Sequence, residues 1–439
     1  MQRRSFLQLL AASSLGVGFP SLVKAQTLGM GGGTAPSNRI TLALVGAGNQ
    51  GPSDMRNAMS QPGLQVVAIC DPDRQRRLKV KTSVDETYQV AAGEKGCADY
   101  NHPMEAIQHP DLDAVLIATP DHWHALATLW AARAGKHIYL EKPVTHHIAE
   151  GRPMIKAVER AGIVCQVGCQ QRSSSEFIRA IDLVRNGFLG RIQKIEVGLP
   201  GFSDGKPPIP FGPQPIPEGF DYDIWVGPAP FLGYHPERCH YKWRWNLNFG
   251  GGQLADWIEH HYDIAALAMN VAGTQPVAIR EASAEFVRQN PLYDVPTSYS
   301  FQAHYADNTV LHVSSKFPGG IRFEGDAGWL TVTRGQMNYS SEVLRRAVIP
   351  SHLSIAPEPK SHMASFLDAI RTGCKNNAPL DEAHNIATVA HLANAALRSN
   401  RSELLWDPAT ESLQESLPEA SDAARILTRT YRAPYVLPA

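Results

Sequence analysis

Six residues, Ile40-Thr-Leu-Ala-Leu-Val45, run almost without a polar break and stop at a glycine. That is the pattern of a strand buried on both faces of a parallel sheet. The same texture returns in Leu64–Cys70, in 114–118 and in His137–Leu140, and an alanine- and leucine-rich helical stretch reaches Ala134. Strands alternating with helices at this spacing predict a doubly wound parallel sheet of the Rossmann type, whose ligands sit beyond the carboxyl ends of its strands. From about Gln166 the pattern changes to long strands, Pro-rich loops and aromatic clusters. Segments 192–198, 276–286, 298–305, 309–315 and 328–334 read as a largely antiparallel sheet. In 362–398, Phe366, Ile370, Ile386, Val389, Leu392 and Leu397 recur at helical spacing, which predicts helices returning to pack on the first domain. The expected division is a Rossmann domain at 39–165, a substrate domain at 166–360, and C-terminal helices and tail at 361–439. The fold class is α/β.

The first 25 residues do not belong to this pattern. Arg3 and Arg4 precede a short apolar stretch, and Val23-Lys-Ala25 is a small-residue cleavage site, which reads as an export signal. The paired arginines before Ser5-Phe-Leu7 resemble a twin-arginine signal, the bacterial address for proteins exported already folded. An ordinary Sec signal is the alternative. A glycine-rich linker over 26–38 follows, and the expected location is the periplasm. Loss of Arg3, Arg4 and Lys24 would leave 38 basic against 42 acidic residues, so no basic surface for nucleic acid is implied. With 43% apolar and 19% charged residues the composition is globular, and no apolar run approaches the ~20 residues of a membrane span. Six cysteines without a Cys-x-x-Cys pair read as core residues, with a bridge between Cys165 and Cys169 left open.

The candidate chemistry sits where strands end. Gly46-Ala-Gly48-Asn49-Gln50-Gly51 follows the first strand directly. The first glycine permits a tight turn, the second lets the backbone approach a pyrophosphate, and the third lets the next helix pack closely. Asp71, ending the second strand 25 residues beyond Gly46, can accept both hydroxyls of an adenosine ribose. It favours NAD, while Arg74 and Arg76 leave NADP open. Thr119-Pro120-Asp121-His-Trp-His124 ends the next strand, and Glu141-Lys142-Pro143 ends the one after it.

Gly-x-Gly-x-x-Gly, then Ala-Thr-Pro-Asp-x-x-His, then Glu-Lys-Pro, in this order and spacing, resembles the Gfo/Idh/MocA family of oxidoreductases, which includes glucose-fructose oxidoreductase and inositol dehydrogenase. The similarity extends from about Arg39 to Arg398. Tyr222-Asp-Ile-Trp-Val-Gly-Pro-Ala-Pro230 and Trp243-Arg-Trp245 look like its exported branch. The resemblance implies a second α+β domain with an open, largely antiparallel sheet, and homo-oligomers (dimer or tetramer). It places Thr119, Pro120 and Asp121 along the nicotinamide ribose, has His124 shape that loop, and puts Glu141 on the ribose. Lys142 would touch both cofactor and substrate, and a nearby oxidised nicotinamide would lower its pKa. Gly168-Cys-Gln-Gln-Arg172 resembles the segment closing over the nicotinamide, with Arg172 a candidate for a substrate hydroxyl or cofactor contact.

The substrate half holds "YHPERCHYKWRWNLNFGGG" at 234–252. Tyr241 and Trp243 offer flat apolar faces to a sugar ring, and Arg244 can donate paired hydrogen bonds to hydroxyls or a carboxylate. His235, Cys239 and His240 lack any standard zinc spacing, so no metal is expected. The run after the triple glycine fits one helix to about Met269. At ~100° per residue, Asp256, His260 and Asp263 share one stripe, while Leu254, Trp257, His261, Ile264 and Ala268 share an apolar one. Asp256 with Glu259 has capping-box spacing, and the Asp256, His260, Asp263 set has cation-binding chemistry; both readings stand beside catalysis. The family pattern here, Asp-x-Gly-x-His-x-x-Asp, makes Asp256, His260 and Lys142 the catalytic group and Asp263 a substrate neighbour. Ile258 departs from it where glycine is the rule.

The reading is hydride transfer between a secondary alcohol of a sugar and NAD, with His260 or Lys142 moving the hydroxyl proton. An exported enzyme would carry its cofactor out already bound and recycle it in place. Alternatives are a redox-neutral NAD-dependent glycosidase or lyase, a metal-dependent hydrolase, and a non-catalytic sugar-binding protein.

Overall fold

A computed structural model describes residues 38–437, apart from 91–93, 95, 204–210, 287–289, 357–359 and 416–420. The export segment 1–25 and nearly all of the linker therefore lie outside the described residues. The first sheet contains β1 (Ile40–Val45), β2 (Leu64–Cys70), β3 (Ala98–Tyr100), β4 (Ala114–Ile117), β5 (His137–Leu140) and β6 (Cys165–Val167). Their order is β3-β2-β1-β4-β5-β6, with every pairing parallel. Leu42, Leu44, Val45, Leu116, Ile138 and Leu140 are fully buried, because helices cover both faces. The order reverses between β1 and β4. A crevice opens there at the carboxyl ends, where the Gly46 turn, Thr119 and Glu141-Lys142 converge.

The second sheet runs β13-β12-β11-β7-β10-β9-β8-β14-β15. It contains β7 (Ile192–Gly198), β8 (Ala278–Phe286), β9 (Pro296–His304), β10 (Val310–Ser314), β11 (Gly320–Gly325), β12 (Gly328–Thr333), β13 (Gln336–Tyr339), β14 (Leu404–Asp407) and β15 (Ser412–Leu413). Only β7 and β10 pair in parallel; the other pairs are antiparallel. The sequence reading lacks β11, β13, β14 and β15. β11, Gly-Ile-Arg-Phe-Glu-Gly, buries just two apolar side chains, Ile321 and Phe323, too short an alternation to stand out.

The returning helices divide their packing. His362–Thr372 sets Met363, Phe366 and Leu367 into the core of β1 and β2. Leu380–Arg398 lies between the two cores: Leu380, Ala383 and Ala387 join the first, and Ile386, Val389, Leu392 and Leu397 join the second. All six cysteines are free thiols, Cys165 and Cys169 included. Among the described residues no helix is long and apolar enough to cross a membrane, and no group of three His, Cys, Asp or Glu could hold a metal ion.

Candidate active site

The helix after the triple glycine is not a single α-helix. It is α-helical over Gly252–Trp257, makes a π-helical turn over Ile258–Tyr262, and resumes as α over Asp263–Ala268. The wider turn corrects the expected single stripe. Asp256 faces Lys142 and Arg244, whereas Asp263 is buried against Arg172. Ile258, the departure from the family pattern, is fully buried in this turn. No capping box forms: the helix starts four residues before Asp256, and Glu259 turns inward to accept from the Val144 amide at 3.0 Å. His261 packs as the apolar stripe predicted, with Nδ1 3.0 Å from the Gly198 carbonyl.

Lys142, at the carboxyl end of β5, donates from Nζ to Asp256 Oδ1 at 2.9 Å and to the Asp256 carbonyl at 3.1 Å. This ties the end of the parallel sheet to the second domain. Arg244 Nε approaches the same carboxylate oxygen at 3.4 Å, and its guanidinium lies over Trp243 at 4.4 Å and Tyr241 at 4.8 Å. Burial alone would raise the Asp256 carboxyl, but Lys142 and Arg244 outweigh it and hold the group well below the usual carboxylate range. For Lys142, burial pushes down, yet Asp256 and Glu141 prevail and the ammonium is raised. The protein's own groups thus act on Lys142 in the direction opposite to the lowering expected from a nicotinamide. His260 is driven well below its usual value by burial, then by Lys142 and Arg334, with Asp256 opposing. It stays neutral, and its buried Nδ1 has no partner among the described residues.

Because Asp256 raises both Lys142 and His260, Asp256→Asn should let both titrate at lower pH. The acidic limb of the kcat/KM profile for alcohol oxidation, set by the base that takes the hydroxyl proton, then moves to lower pH. A limb that stays in place or moves up contradicts the coupling.

The cleft running from this group is lined by Gly46, Gly48, Asn49, Gln50, Asp71, Arg76, Thr119, Pro120, Glu141, Lys142, Tyr241, Trp243 and Arg244. The lining fits a dinucleotide. Gly46 stands at φ +103°, and a Cβ there would meet the Ala118 carbonyl oxygen at 2.5 Å. A Cβ on Gly51 would strike the Gly46 carbonyl, so the third glycine serves packing; at Gly48 only Arg76 Nη1, 3.8 Å away, lies within reach, which leaves room for a pyrophosphate. Asp71 accepts from the amides of Ala47 and Asp73, each at 2.8 Å, and keeps a second lone pair on each oxygen for ribose hydroxyls. Of the two arginines that left NADP open, Arg76 lines the cleft and Arg74 does not. Thr119 Oγ1, Asp121 Oδ1 and Glu141 Oε1 are buried without partners among the described residues, as a polar ligand's site requires.

Asp121 accepts from Gly251 N at 3.2 Å, and burial pushes it up to about 7. His124 stands behind the lining: its ring nitrogens lie 2.7 Å from the Pro143 carbonyl and 2.9 Å from that of Thr119, so it shapes the loop from behind.

Arg172 and Asp263 need a correction. Arg172 donates to Asp263 from Nε at 2.8 Å and Nη2 at 2.5 Å, and from Nη1 to Glu382 at 2.6 Å. Both are buried and outside the cleft lining. Rather than presenting polar atoms to a ligand, they join Gln170–Ser173 to the helices at 263 and 380.

Sequence reasoning missed four residues beside the site. Asp54, from the helix Gln50–Met59, stands beside Glu141, and its Oδ1 accepts from Gln50 and Gln170, each at 2.9 Å. Burial pushes Asp54 up to about 6 and raises Glu141 as well, because neither buried carboxylate favours a charged neighbour. Arg334 lies over Trp257 at 4.9 Å, and the Gln171 amide, oriented to satisfy both neighbours, accepts from Arg334 Nε and donates to the His260 carbonyl. The fourth is Glu259, pushed up to about 8, mainly by burial. In the sequence Glu259 stands out only for its capping-box spacing; no spacing marks the contacts of the other three to Glu141, Trp257 and His260, which are long-range.

Glu259 supports a signed prediction. Its folded pKa exceeds the unfolded value of 4.5, so folding takes up a proton and stability falls as pH rises from 4.5 towards 8. Glu259→Gln removes that cost, stabilising by about 3 kcal/mol at pH 7 and by nearly nothing below pH 4.5. Urea titrations at several pH values measure this; a pH-independent difference refutes it.

Comparison with known proteins bears on the family and the fold. Residues 40–169 match the family described as "Oxidoreductase family, NAD-binding Rossmann fold", and 181–437 match its "C-terminal alpha/beta domain". The chain belongs to the Gfo/Idh/MocA family. Among curated relatives, scyllo-inositol 2-dehydrogenase (NAD(+)) of Bacillus subtilis is 30% identical over 229 residues, covering 52% of this chain and 53% of that protein. The chain thus spans about half the length of the curated relatives it matches. Among solved structures, aldose-aldose oxidoreductase from Caulobacter crescentus, complexed with glycerol, aligns with TM-score 0.61 at 23% identity, covering 84% of this chain and 99% of that one. The WlbA dehydrogenase of Bordetella pertussis, in complex with NADH and UDP-GlcNAcA, gives TM-score 0.62 at 15% identity, covering 84% and 99%. These two likenesses concern the fold.

Proposed function

We propose that the protein is an NAD-dependent oxidoreductase acting at a secondary alcohol of a sugar or cyclitol. The observation that carries this is the Lys142–Asp256 contact at 2.9 Å, which sets a lysine, a carboxylate and a neutral histidine where the nucleotide cleft meets the second domain. When bound, the nicotinamide supplies the hydride acceptor. Lys142 and the unpartnered Nδ1 of His260 are the groups able to hold or move the hydroxyl proton. Asp256 Oδ1 fixes Lys142 Nζ, and Arg244, pressed between Tyr241 and Trp243, orients the alcohol's neighbours. Asp71 and the Gly46–Gly51 turn would hold the adenosine half, with NAD preferred.

The finer reading includes export by the twin-arginine route to the periplasm, a retained cofactor recycled in place, and homo-oligomers. Arg3-Arg4 and the cleavage site support the first. The test is mass spectrometry of nucleotide released from denatured protein, followed by absorbance near 340 nm against a panel of sugars and inositols. NAD released with a substrate-dependent absorbance change is expected. Protein that neither carries nor binds nicotinamide nucleotide ends the proposal. Substrate consumed and released without net absorbance change would favour the redox-neutral glycosidase or lyase.

A further inference from the structure

One wall of the cleft comes from a single stretch, 219–245, which contributes Ile224, Trp225, His240, Tyr241, Trp243 and Arg244. This stretch is fastened at two places along the nucleotide domain's rim. At the ribose end, Arg74 N donates to the Gly219 carbonyl at 2.9 Å, Asp221 N donates to the Pro72 carbonyl at 3.0 Å, and Asn101 Nδ2 donates to Asp221 Oδ2 at 2.9 Å. At the nicotinamide end, Trp123 Nε1 donates to the carbonyls of Ile224 and Trp225, each at 3.1 Å.

The C-terminal segment then crosses the outside of this cover. Arg432 donates from Nε to the Gly227 carbonyl at 2.8 Å, from Nη1 to Asp223 Oδ1 at 2.7 Å, and from Nη2 to the Asp223 carbonyl at 3.0 Å; its amide donates to the Pro228 carbonyl at 3.0 Å. Tyr435 packs edge-on against Trp123 at 5.3 Å. The segment is anchored in turn: Arg429 Nη2 donates to the His122 carbonyl at 2.8 Å, and Tyr431 donates to buried Glu150 at 2.7 Å. These ties run from 429–435 to the cover and to the helices Asp121–Arg133 and Ile148–Ala161, and Arg429 Nη1 also lies 3.1 Å from His146 Nδ1, just before the second of them. None of 429–435 lines the cleft itself.

We propose that 429–435 is a clasp that holds the 219–245 cover over the cleft, with Arg432 the positioning residue that makes the bound dinucleotide slow to exchange. The inference rests on the cofactor reading above. It supplies a physical cause for retention that lies in this chain's own tail: a cover bonded at both ends must break several charged and backbone hydrogen bonds before a nucleotide can leave.

The test is exchange of bound nucleotide. Protein loaded with NAD is mixed with excess isotopically labelled NAD, and the label in the protein fraction is followed by mass spectrometry. Arg432→Ala should exchange about a hundredfold faster than the unchanged protein, equivalent to about 3 kcal/mol at 1.4 kcal/mol per tenfold. Asp223→Ala removes the same tie from its exposed side, where loss of one surface carboxylate leaves the fold intact, and should act in the same direction. The double variant should add little to either. Both variants exchanging at the unchanged rate overturns the clasp, as does unchanged protein that binds NAD but exchanges it as fast as the variants. Unchanged protein with no affinity for NAD instead ends the cofactor reading itself.

Discussion

Lys142→Met should lower kcat about a thousandfold, within the ~10²–10⁴ range that a positioned proton-transfer group contributes. NAD binding should stay within a few-fold, because the adenosine half is held by Asp71 and the Gly46–Gly51 turn, well removed along the cleft. The fold should survive: Asp256 loses its 2.9 Å partner but keeps Arg244 at 3.4 Å, so no buried carboxylate is left without a cation. Lys142→Arg adds the discriminating arm. A guanidinium keeps the charge and can hold Asp256, yet cannot release a proton near neutral pH. If Lys142 acts by proton transfer, Arg should fail nearly as badly as Met; if it acts by charge alone, Arg should restore most of the rate. Steady-state kinetics with whichever sugar or inositol of the panel is turned over decide it, and kcat within tenfold of the unchanged protein for Met refutes the role.

Arg172→Met should destabilise by about 3–5 kcal/mol, the usual cost of leaving one member of a buried pair behind. The loss falls on Asp263, which is 1% exposed and which burial already pushes above its usual value despite the guanidinium against it. Glu382 also loses its Nη1 partner, although Lys375 still reaches it at 2.9 Å. The double variant Arg172→Met with Asp263→Leu should recover much of the stability, since an apolar pair of similar volume carries no desolvation cost. Denaturant midpoints at pH 7 measure both. A loss under about 1 kcal/mol for Arg172→Met shows that the pair does not hold the domains together, and would return Arg172 to candidacy as a ligand contact.

The contrast between Arg172 and Lys142 shows how far a sequence can be followed. Both were singled out beside strand ends. Lys142 lies two residues after β5, so the end of a parallel strand placed it in the crevice by itself. Arg172 lies beyond β6 in a short 3-10 turn, where the direction of a side chain depends on what packs against it. There the Asp263 carboxylate, 91 residues away in the chain, captured it. Glu259 failed for a related reason. Its spacing from Asp256 satisfied a local capping rule, but the helix had begun at Gly252, so no free amides awaited a cap, and the Val144 amide across the domain boundary took the carboxylate instead.

What the sequence determined by itself is what repeats locally or acts through the backbone: the buried parallel strands, the glycine turn whose φ of +103° excludes side chains, the Asp71 carboxylate at a strand end, and the order of motifs that places Lys142 opposite Asp256 and His260. Tertiary structure alone decided the π turn that separates Asp263 from His260, the raised proton affinities of Asp54, Glu141 and Glu259, and the C-terminal segment drawn over the cleft cover. The physical reason is the range of the interactions. Strand, helix and turn preferences are set within a few residues, whereas burial, charge pairing and the resulting proton affinities depend on groups brought together from as far apart as Arg432 and Asp223, 209 residues distant along the chain.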